Sequence, residues 1–437
     1  MRDRLLEVRE FDRICCAPDC GDGYCYLPER AFRDLKDLVR SSAGDGSRAD
    51  ALEILRLGYR RGVGDVISVG SHVGLIQTRS GWQVEILPKL DLGVDDGNAQ
   101  TKRVFLRMLR SMRDFPCKSL DDADLRVGQM PLYEVFVGMY LQEARALVKR
   151  GIRSAYVTRE DNLGFCKGKL MVGEHVRQNS AHAERFFVRH DEYLADRPEN
   201  RLVKSTLLLL RATTTSSRNQ REARQVLAHF EAVSPSSNYQ RDFSRVVTDR
   251  SMRDYDSLMR WSKVFLVGES FTAFSGTDSA RALLFPMERV FESYVAQQLK
   301  KALADLGWEV TAQDRGYYLF DVPRQFALRP DVVVTRGDGS RVVLDTKWKR
   351  LVDNPRVNYG ISQADMYQMY AYAKKYGTPE VWLLYPTCPE IPDGAGASFY
   401  GNDGVSVRLF FVDVAQIERS MAALRDVLCA WREAPKP

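Results

Sequence analysis

The sequence predicts an α+β protein of several domains: a strand-rich N-terminal region, a helical middle section and a C-terminal α/β domain. Three observations lead to this prediction. The chain has 437 residues, more than one ordinary core accommodates. Its hydrophobic and charged fractions, 44% and 28%, are those of a folded protein. The spacing of its apolar residues changes twice along the chain, which indicates three regions with different folds.

The N-terminal region, residues 1–175, shows strand patterns with some helices. In the stretch VISVGSHVGLIQTRSGWQVEILPKL, two apolar runs are separated by Arg79, Ser80 and Gly81, which predicts a β-hairpin. The stretches RAFRDLKDLV and PLYEVFVGMYLQEARALVKRG have helical spacing, and the second ends in basic residues and glycine as a helix C-terminus should. We therefore predict a strand-rich domain.

The remaining chain divides near residue 280. Residues 176–279 contain the helical patterns RLVKSTLLLLRATT and NQREARQVLAHFEAV, followed by a break at Ser-Pro-Ser-Ser, residues 234–237. Residues 280–437 alternate between helix and strand patterns, which is typical of a compact α/β domain. The expected domains are therefore 1–175, 176–279 and 280–437.

Charge, apolar runs and cysteine content indicate the cellular environment of the protein but do not identify its function. The net charge of +6 permits a polyanionic partner without requiring one. The longest apolar run, Leu207 to Leu210, is far shorter than the ~20 residues of a membrane span, so we expect a cytoplasmic protein without a membrane segment. One cysteine cluster lacks the two close pairs of a zinc site, and we favour reduced thiols over zinc for its members, Cys15, Cys16, Cys20 and Cys25.

The stretch RPDVVVTRGDGSRVVLDTKWK predicts a hairpin of two valine-rich strands around a loop centred on Asp338. With a five-residue loop, Val333 pairs with Val343 and Asp331 pairs with Asp345. A slip of one residue would put the two aspartates on opposite faces of the sheet. The predicted register places them directly opposite each other.

This pairing suggests a metal site. Cross-strand partners have Cβ atoms about 4.5–5.5 Å apart, and Lys347, two residues after Asp345, lies on the same face. Two carboxylates can share a divalent cation, and a bound Mg²⁺ activates water for phosphodiester hydrolysis. The alternative is an ordinary exposed Asp–Lys pair, but the apolar neighbours Leu344 and Trp348 favour the site.

Two helices supply further candidates. The helix LLFPMERVFESYVAQQLKKAL carries Glu288 and Glu292 beside its apolar face, and a helical wheel puts Glu288 slightly deeper. The helix that begins at Ser362 has two pairs of Gln and Tyr at the same spacing, and either pair fits equally well with packing or with a site contact: Gln368 with Tyr372, and Gln363 with Tyr367.

These residues resemble the PD-(D/E)xK nuclease superfamily, in which Pro330 and Asp331 match the PD and Asp345, Thr346 and Lys347 match the DxK. The resemblance implies a restriction-endonuclease-like fold for residues 280–437 and catalysis with Mg²⁺. The implied catalytic residues are Asp331, Asp345, Lys347 and Glu292. The implied metal ligands are Asp331, Asp345, the Thr346 backbone carbonyl and Glu292, with Glu288 as the alternative glutamate. Gln368 and Tyr372, or Gln363 and Tyr367, resemble the family's QxxxY motif.

The whole chain resembles the McrC family, the nuclease subunits of the McrBC modification-dependent restriction systems. The segments that carry the resemblance are HVGLIQTRSGWQVEILPKL, REDNLGFCKGKL, RHDEYLADRPENRLVKSTL, FPMERVFESYV, RPDVVV, LDTKWK and QADMYQMYAYA. The resemblance implies an endonuclease for double-stranded DNA with modified cytosine, whose N-terminal domain docks on and stimulates an McrB-like AAA+ GTPase ring. The sequence has no GxxxxGK[ST] motif, so we expect the partner to bind GTP.

Two other functions stay open. A self-sufficient PD-(D/E)xK DNA nuclease, in repair or another defence system, would not need the large non-nuclease portion of the chain. A catalytically inactive nuclease fold that acts as an assembly module would have no reason to retain the like-charged pair Asp331 and Asp345. Both arguments favour the GTP-dependent restriction nuclease.

Overall fold

The computed structural model describes residues 4–18, 20–42, 54–90, 97–116, 127–247, 252–267, 280–388, 391 and 394–430. Contacts divide the chain into two compact units. One is Tyr133–Glu269, and the other joins Arg2–Leu132 to Ser270–Pro437. The predicted mixed α/β, multidomain character is confirmed. None of the helices in the described ranges is long and apolar enough to cross a membrane.

The N-terminal part of the discontinuous unit combines strands with helices. Its elements are β1 (Leu5–Arg9), β2 (Arg13–Cys15), β3 (Tyr24–Tyr26), α1 (Glu29–Ser42), β4 (Leu55–Arg60), β5 (Gly64–Val69), β6 (His72–Thr78), β7 (Gln83–Leu87) and α2 (Gly97–Leu109). The antiparallel pairing of β6 with β7 confirms the predicted hairpin, and α1 confirms the first predicted helix. Residues of the strands β1, β2 and β4–β7 and of the helix α1 form one apolar core.

The cysteine cluster lies in and after β2. Cys15 and Cys20 are joined by a disulfide, so the expectation of reduced thiols was wrong for these two. The short turn after β2 brings their Cα atoms to 7.0 Å. Cys16 and Cys25 are free thiols and pack against the apolar core.

The continuous unit contains helices and a small sheet. Its elements are α3 (Leu132–Arg150), β8 (Ala155–Leu163), β9 (Lys169–Leu170), α4 (Val172–Asn179), β10 (Phe186–Leu194), α5 (Pro198–Thr213), α6 (Ser217–Leu227), α7 (Tyr239–Arg245) and α8 (Arg253–Val267). The sheet has the order β8-β10-β9. The Tyr140 hydroxyl of α3 lies 3.2 Å from the Ser262 hydroxyl of α8, and Trp261 is buried beside them.

This unit crosses the boundary that the sequence placed at residue 175. β8 pairs with β10 over nine residues, from Ala155 with Leu194 to Leu163 with Phe186. The region 176–279, predicted to be mostly helical, therefore also contains the strand β10, and α3 belongs with the later helices. The sequence pattern missed this because strand pairing between distant segments leaves no mark on local periodicity.

The C-terminal part of the discontinuous unit contains a six-stranded sheet. Its elements are β11 (Ala280–Pro286), α9 (Met287–Ala302), β12 (Glu309–Ala312), β13 (Tyr318–Asp321), β14 (Arg324–Ala327), β15 (Val332–Thr335), β16 (Arg341–Thr346), α10 (Gln363–Tyr376), β17 (Glu380–Pro386), β18 (Gly394–Tyr400), β19 (Ser406–Val412) and α11 (Ile417–Ala430). The sheet has the order β12-β15-β16-β17-β19-β18. Strands β16, β17 and β19 are parallel, and apolar residues of α10 pack on them.

β11 joins the two parts of this unit. It pairs antiparallel with β6 over seven residues, in a sheet of order β1-β7-β6-β11. Strands on the two sides of the predicted boundary at 279 therefore belong to one sheet. The two sheets lie in one compact unit, and β11 leads directly into α9.

Candidate active site

The hairpin of β15 and β16 has the predicted register. Val333 pairs with Val343 and Val332 with Leu344, so the predicted five-residue loop is confirmed. Asp331 lies one residue before β15 and Asp345 lies near the end of β16. Continuation of the same register puts the two aspartates opposite each other at the open end of the hairpin.

Asp331 is held by the end of β16. Its Oδ2 accepts hydrogen bonds from the backbone N–H and the hydroxyl of Thr346, both at 2.6 Å. In an antiparallel pair, the N–H and carbonyl of one residue point toward the same neighbouring strand. Because the N–H of Thr346 points toward Asp331, the strand geometry directs the Thr346 carbonyl to the same side.

Asp345 and Lys347 form an ion pair. Asp345 is 2% exposed, and its Oδ2 lies 2.8 Å from the Lys347 Nζ. Among the described residues, that oxygen has no hydrogen bond of regular geometry. The Lys347 ammonium also lies 3.7 Å from Asp365 and donates a hydrogen bond to Gln368 Oε1 at 3.1 Å. Lys347 therefore connects the strand to α10.

Glu292, and not Glu288, faces these residues. Glu292 is half-buried, whereas Glu288 is exposed, so the helical wheel was wrong in placing Glu288 deeper. The reason is position along the helix, because α9 begins at Met287 and Glu288 lies in its first turn. Glu292 Oε1 accepts a hydrogen bond from Gln313 Nε2 at 2.8 Å.

The two Gln–Tyr pairs of α10 occupy different environments. Gln368 Nε2 donates to the Tyr372 hydroxyl at 2.8 Å, and Tyr372 is buried. Gln363 Nε2 donates to the Tyr367 hydroxyl at 2.7 Å on the exposed face of the helix. The structure thus brings Gln368 and Tyr372 to Lys347 and leaves Gln363 at the surface.

The carboxylates of the site destabilise one another. Burial, and next the charge of Asp331, raise the pKa of Glu292 to about 7. Burial and the charge of Asp331 likewise raise the pKa of Asp345, and burial raises the pKa of Asp331 although Thr346 bonds lower it. Burial alone would lower the pKa of Lys347, but the charges of Asp345, Asp365 and Asp331 raise it. The site therefore holds more negative charge than its lysine neutralises.

A divalent cation fits this excess charge. Mg²⁺ prefers oxygen ligands, and the side chains of Glu292, Asp331 and Asp345 and the Thr346 carbonyl are oxygen donors. Within the described ranges, however, no three His, Cys, Asp or Glu side chains are gathered closely enough to hold a metal ion. Asp331 is bonded to Thr346 and Asp345 is paired with Lys347, so these contacts must rearrange for a cation to bind.

Several residues of the site were not predicted from the sequence. Gln313 lies directly after β12, and Asp365 lies in the first turn of α10. The side chain of Thr346 bonds to Asp331, whereas the sequence indicated its carbonyl alone. Trp348, next to Lys347, packs on Phe291 of α9 with ring centroids 5.3 Å apart. Apart from Trp348, which the sequence indicated only as an apolar neighbour of the site, these residues carry no pattern that marks them as part of it.

Comparisons with known proteins place the chain in a family. The family described as "McrBC 5-methylcytosine restriction system component" matches residues 67–386. No curated protein matches the sequence. A chain from the refined half-complex of the tetradecameric assembly of Thermococcus gammatolerans McrB AAA+ hexamers with bound McrC is similar in structure, with a TM-score of 0.71 and 17% identity over 97% of this chain and 100% of that chain.

A second similar chain comes from the cryo-EM structure of the Thermococcus gammatolerans McrBC complex. It has 20% identity, covers 68% of this chain and 88% of that chain, and has a TM-score of 0.46. At these identities, the likeness of the first structure shows a shared fold over nearly the whole chain.

Proposed function

Because the chain belongs to the family of McrBC 5-methylcytosine restriction system components, we propose that it is the nuclease subunit of such a system. In this proposal it is an Mg²⁺-dependent endonuclease with a PD-(D/E)xK fold that hydrolyses phosphodiester bonds of double-stranded DNA containing modified cytosine. It acts together with an AAA+ GTPase and stimulates it.

One observation carries the catalytic part of the proposal. The charge of Asp331 adds to burial in raising the pKa values of Glu292 and Asp345, and Lys347 lies beside Asp345. A folded protein gains no stability from such an unbalanced buried cluster. A catalytic site that must bind a cation and a phosphate explains the cluster.

The residues of the chain have separate parts in the proposed reaction. Lys347 stays protonated at neutral pH because its pKa is raised, and its ammonium can stabilise the charge that develops on the phosphate oxygens. Gln368 accepts a hydrogen bond from Lys347 and fixes the direction of its ammonium group. Gln313 orients Glu292 through its hydrogen bond.

The carboxylates would hold the cation. Asp331 and Asp345, with Glu292 and the Thr346 carbonyl, are the residues we assign to Mg²⁺. When bound, the ion supplies an activated water and neutralises phosphate charge. The Thr346 N–H and hydroxyl, which bond to Asp331, keep the Asp331 carboxylate at the end of the hairpin.

The partner is inferred from the family and the fold. The chain shares its fold with a chain from McrB AAA+ hexamers with bound McrC. No GxxxxGK[ST] phosphate loop occurs in the sequence, so a partner must provide any GTP hydrolysis. This supports a complex in which an McrB-like GTPase ring binds GTP and this chain cuts.

A cleavage assay tests the proposal. Methylated and unmethylated DNA are incubated with the chain, with and without the McrB-like GTPase of the same cell, GTP and Mg²⁺. Cleavage should need all components and a modified cytosine. The substitutions Asp331→Ala, Asp345→Ala and Lys347→Ala should each abolish cleavage but keep GTPase stimulation. Cleavage by any of these variants refutes the site, and cleavage without the GTPase supports a self-sufficient nuclease.

One observation favours a second candidate, the inactive assembly module. No metal-binding group of three side chains is already gathered among the described residues. In that case Asp345→Ala would leave every activity of the complex unchanged, and Mg²⁺ would not stabilise the isolated chain. The cleavage assay and a thermal unfolding measurement with Mg²⁺ separate the two candidates.

A further inference from the structure

A buried carboxylate of the N-terminal sheet lies against the proposed active site. Glu10 follows β1 and is 0% exposed. Both of its oxygens lie 3.1 Å from the indole Nε1 of Trp348, which donates to them. Its Oε2 also accepts the backbone N–H of Lys89 at 3.0 Å. The hydrogen bonds between Trp348 and Glu10 join residues 338 positions apart in the chain.

Trp348 connects this carboxylate to two residues of the site. It follows Lys347 directly, and its ring packs on that of Phe291, at 5.3 Å between centroids. Phe291 is buried in α9 and precedes Glu292. A displacement of the indole would therefore move the backbone that carries Lys347 and the helix turn that carries Glu292.

Two further contacts attach the same region to the N-terminal sheet. Arg350 Nη2 donates to the Lys89 carbonyl at 3.2 Å, so the segment after Lys347 is held at Trp348 and again at Arg350. The backbone N–H of Met287, the first residue of α9, donates to the Ser71 carbonyl at 3.0 Å. The N-terminal sheet thus holds the start of the helix and the end of the strand on which the site is built.

The burial of the Glu10 carboxylate has an energetic cost that these hydrogen bonds must offset. Burial without a full counter-charge costs several kcal/mol, and burial raises the pKa of Glu10 to about 7. Glu10 nonetheless accepts N–H groups from two different segments at once, which a glutamine can do with one oxygen only. The second acceptor oxygen is thus the difference between Glu10 and a glutamine at the same position.

We propose that Glu10 is a positioning residue of the nuclease site, which acts through Trp348 to hold Lys347 and Glu292 in their relative places. The proposal rests on the proposed nuclease function and deepens it. The N-terminal sheet becomes part of the support of the active site, so that residues 280–437 do not form it alone. A small displacement of catalytic groups can reduce the rate about 100-fold.

The chain offers a matched control. Glu380, also 0% exposed, accepts a hydrogen bond from the Trp382 Nε1 at 2.8 Å, but it begins β17 and lies three residues before Leu383, the partner of Asp345. Glu380→Gln therefore perturbs a buried Glu–Trp bond in the same unit without touching the site. A purely structural role of Glu10 would make the two substitutions alike.

The test is a double-mutant cycle in the complete complex. Glu10→Gln, Trp348→Phe and the double variant are compared for kcat and KM of DNA cleavage, with Glu380→Gln as control. We expect Glu10→Gln to lower kcat about 10- to 100-fold with KM unchanged. The double variant should be no slower than Trp348→Phe alone, because both changes remove one interaction. The control should keep kcat per folded molecule.

A second readout does not depend on cleavage. In Glu10→Gln, hydrogen–deuterium exchange should become faster at the amides of Thr346, Lys347 and Trp348, and Glu380→Gln should leave them unchanged. Faster exchange with no cleavage even by the native complex would support the positioning role and refute the proposed function. Additive kinetic effects, or unchanged exchange in Glu10→Gln, would refute the positioning role itself.

Discussion

The two ends of the β15–β16 hairpin both bury charge, but with opposite balance. At the open end, three carboxylates face one lysine, and the charge of Asp331 adds to burial in raising the pKa of Glu292 and of Asp345. At the loop end, about 10 Å away by the rise of the three strand residues from Leu383, the partner of Asp345, to Glu380, the Glu380 carboxylate faces two guanidinium groups, Arg336 at 3.7 Å and Arg408 at 3.9 Å. The two regions share one sheet.

The surroundings of the loop end are those of a structural cluster. Trp382 donates to Glu380, the Arg336 guanidinium lies over the Trp308 ring and donates to the Leu428 carbonyl at 3.0 Å, and Arg408 lies over Trp382. Each charge there has a counter-charge or an aromatic face. In the described part of the chain, the carboxylates of the open end do not all have such a partner. The candidate active site is therefore distinguished by its charge balance, and not by burial alone.

The largest expected effect comes from removal of one charge at each end. Asp345→Asn should reduce cleavage about 10³-fold and, without metal, raise the free energy of unfolding at pH 8, because it removes a carboxylate that burial and the like charge of Asp331 destabilise. Glu380→Gln should lower the free energy of unfolding by about 3 kcal/mol, since it leaves Arg336 buried without its carboxylate, and should leave kcat unchanged. Cleavage kinetics and urea unfolding measure both effects.

Equal changes in the free energy of unfolding of Asp345→Asn and Glu380→Gln would show that the two ends of the hairpin do not differ in charge balance. A loss of stability in Asp345→Asn at pH 8 would mean that the open end is a paired structural cluster as well. Loss of kcat in Glu380→Gln would mean that the loop end takes part in the reaction.

Mg²⁺ should stabilise the open end alone. A cation that neutralises the carboxylates binds the folded state, and at 100 times its Kd it adds about 2.7 kcal/mol to the free energy of unfolding. We expect Mg²⁺ to raise the Tm of the native chain and of Glu380→Gln, but not that of Asp345→Asn. Differential scanning fluorimetry with Mg²⁺, and with Na⁺ at matched ionic strength, measures this. An equal rise in Asp345→Asn would place the cation elsewhere.

The pH dependence of stability should follow the raised pKa of Glu292. A carboxyl whose pKa is higher in the folded state destabilises that state as pH rises from its ordinary value of 4.5 to about 7. Without metal, Glu292→Gln should therefore stabilise the chain by about 1–2 kcal/mol at pH 8 and by much less at pH 5. Urea unfolding at both pH values tests this, with Glu288→Gln as the exposed control. A destabilising Glu292→Gln at pH 8 would contradict the prediction.

The smallest effect separates the two Gln–Tyr pairs of α10. Gln368→Ala removes the hydrogen bond that orients Lys347 and should lower kcat about 10-fold, which corresponds to the loss of one hydrogen bond to a charged group. Gln363→Ala, at an exposed position of the same helix, should have no effect. Equal kinetics of the two variants would show that Gln368 does not act on Lys347.

Much of the candidate site was predictable because its order is local. The pairing of Val333 with Val343 depends on a five-residue loop and on alternating valines, both visible in the sequence. The start of α10 was equally visible, since Ser362 accepts a hydrogen bond from the N–H of Asp365 as an N-cap does. Where a structure is set by residues a few positions apart, its pattern predicts it.

Other features were not predictable because distant segments decide them. The choice between Glu292 and Glu288 depends on where α9 begins, and α9 begins where β11 leaves its pairing with β6. The strand β10 was not predicted, since it lies among helical patterns and its partner β8 lies before the predicted boundary at residue 175. No local periodicity records such pairings.

The sequence by itself determined the hairpin, its register and the residue types Asp331, Asp345 and Lys347, because strand alternation and loop length act over short distances. Only the tertiary structure decided that Glu292 joins them and that Gln368, not Gln363, bonds to Lys347. It alone brought Glu10 to Trp348. These contacts depend on how elements pack, and packing is fixed by the burial of apolar surface across the whole unit, which no short segment of sequence specifies.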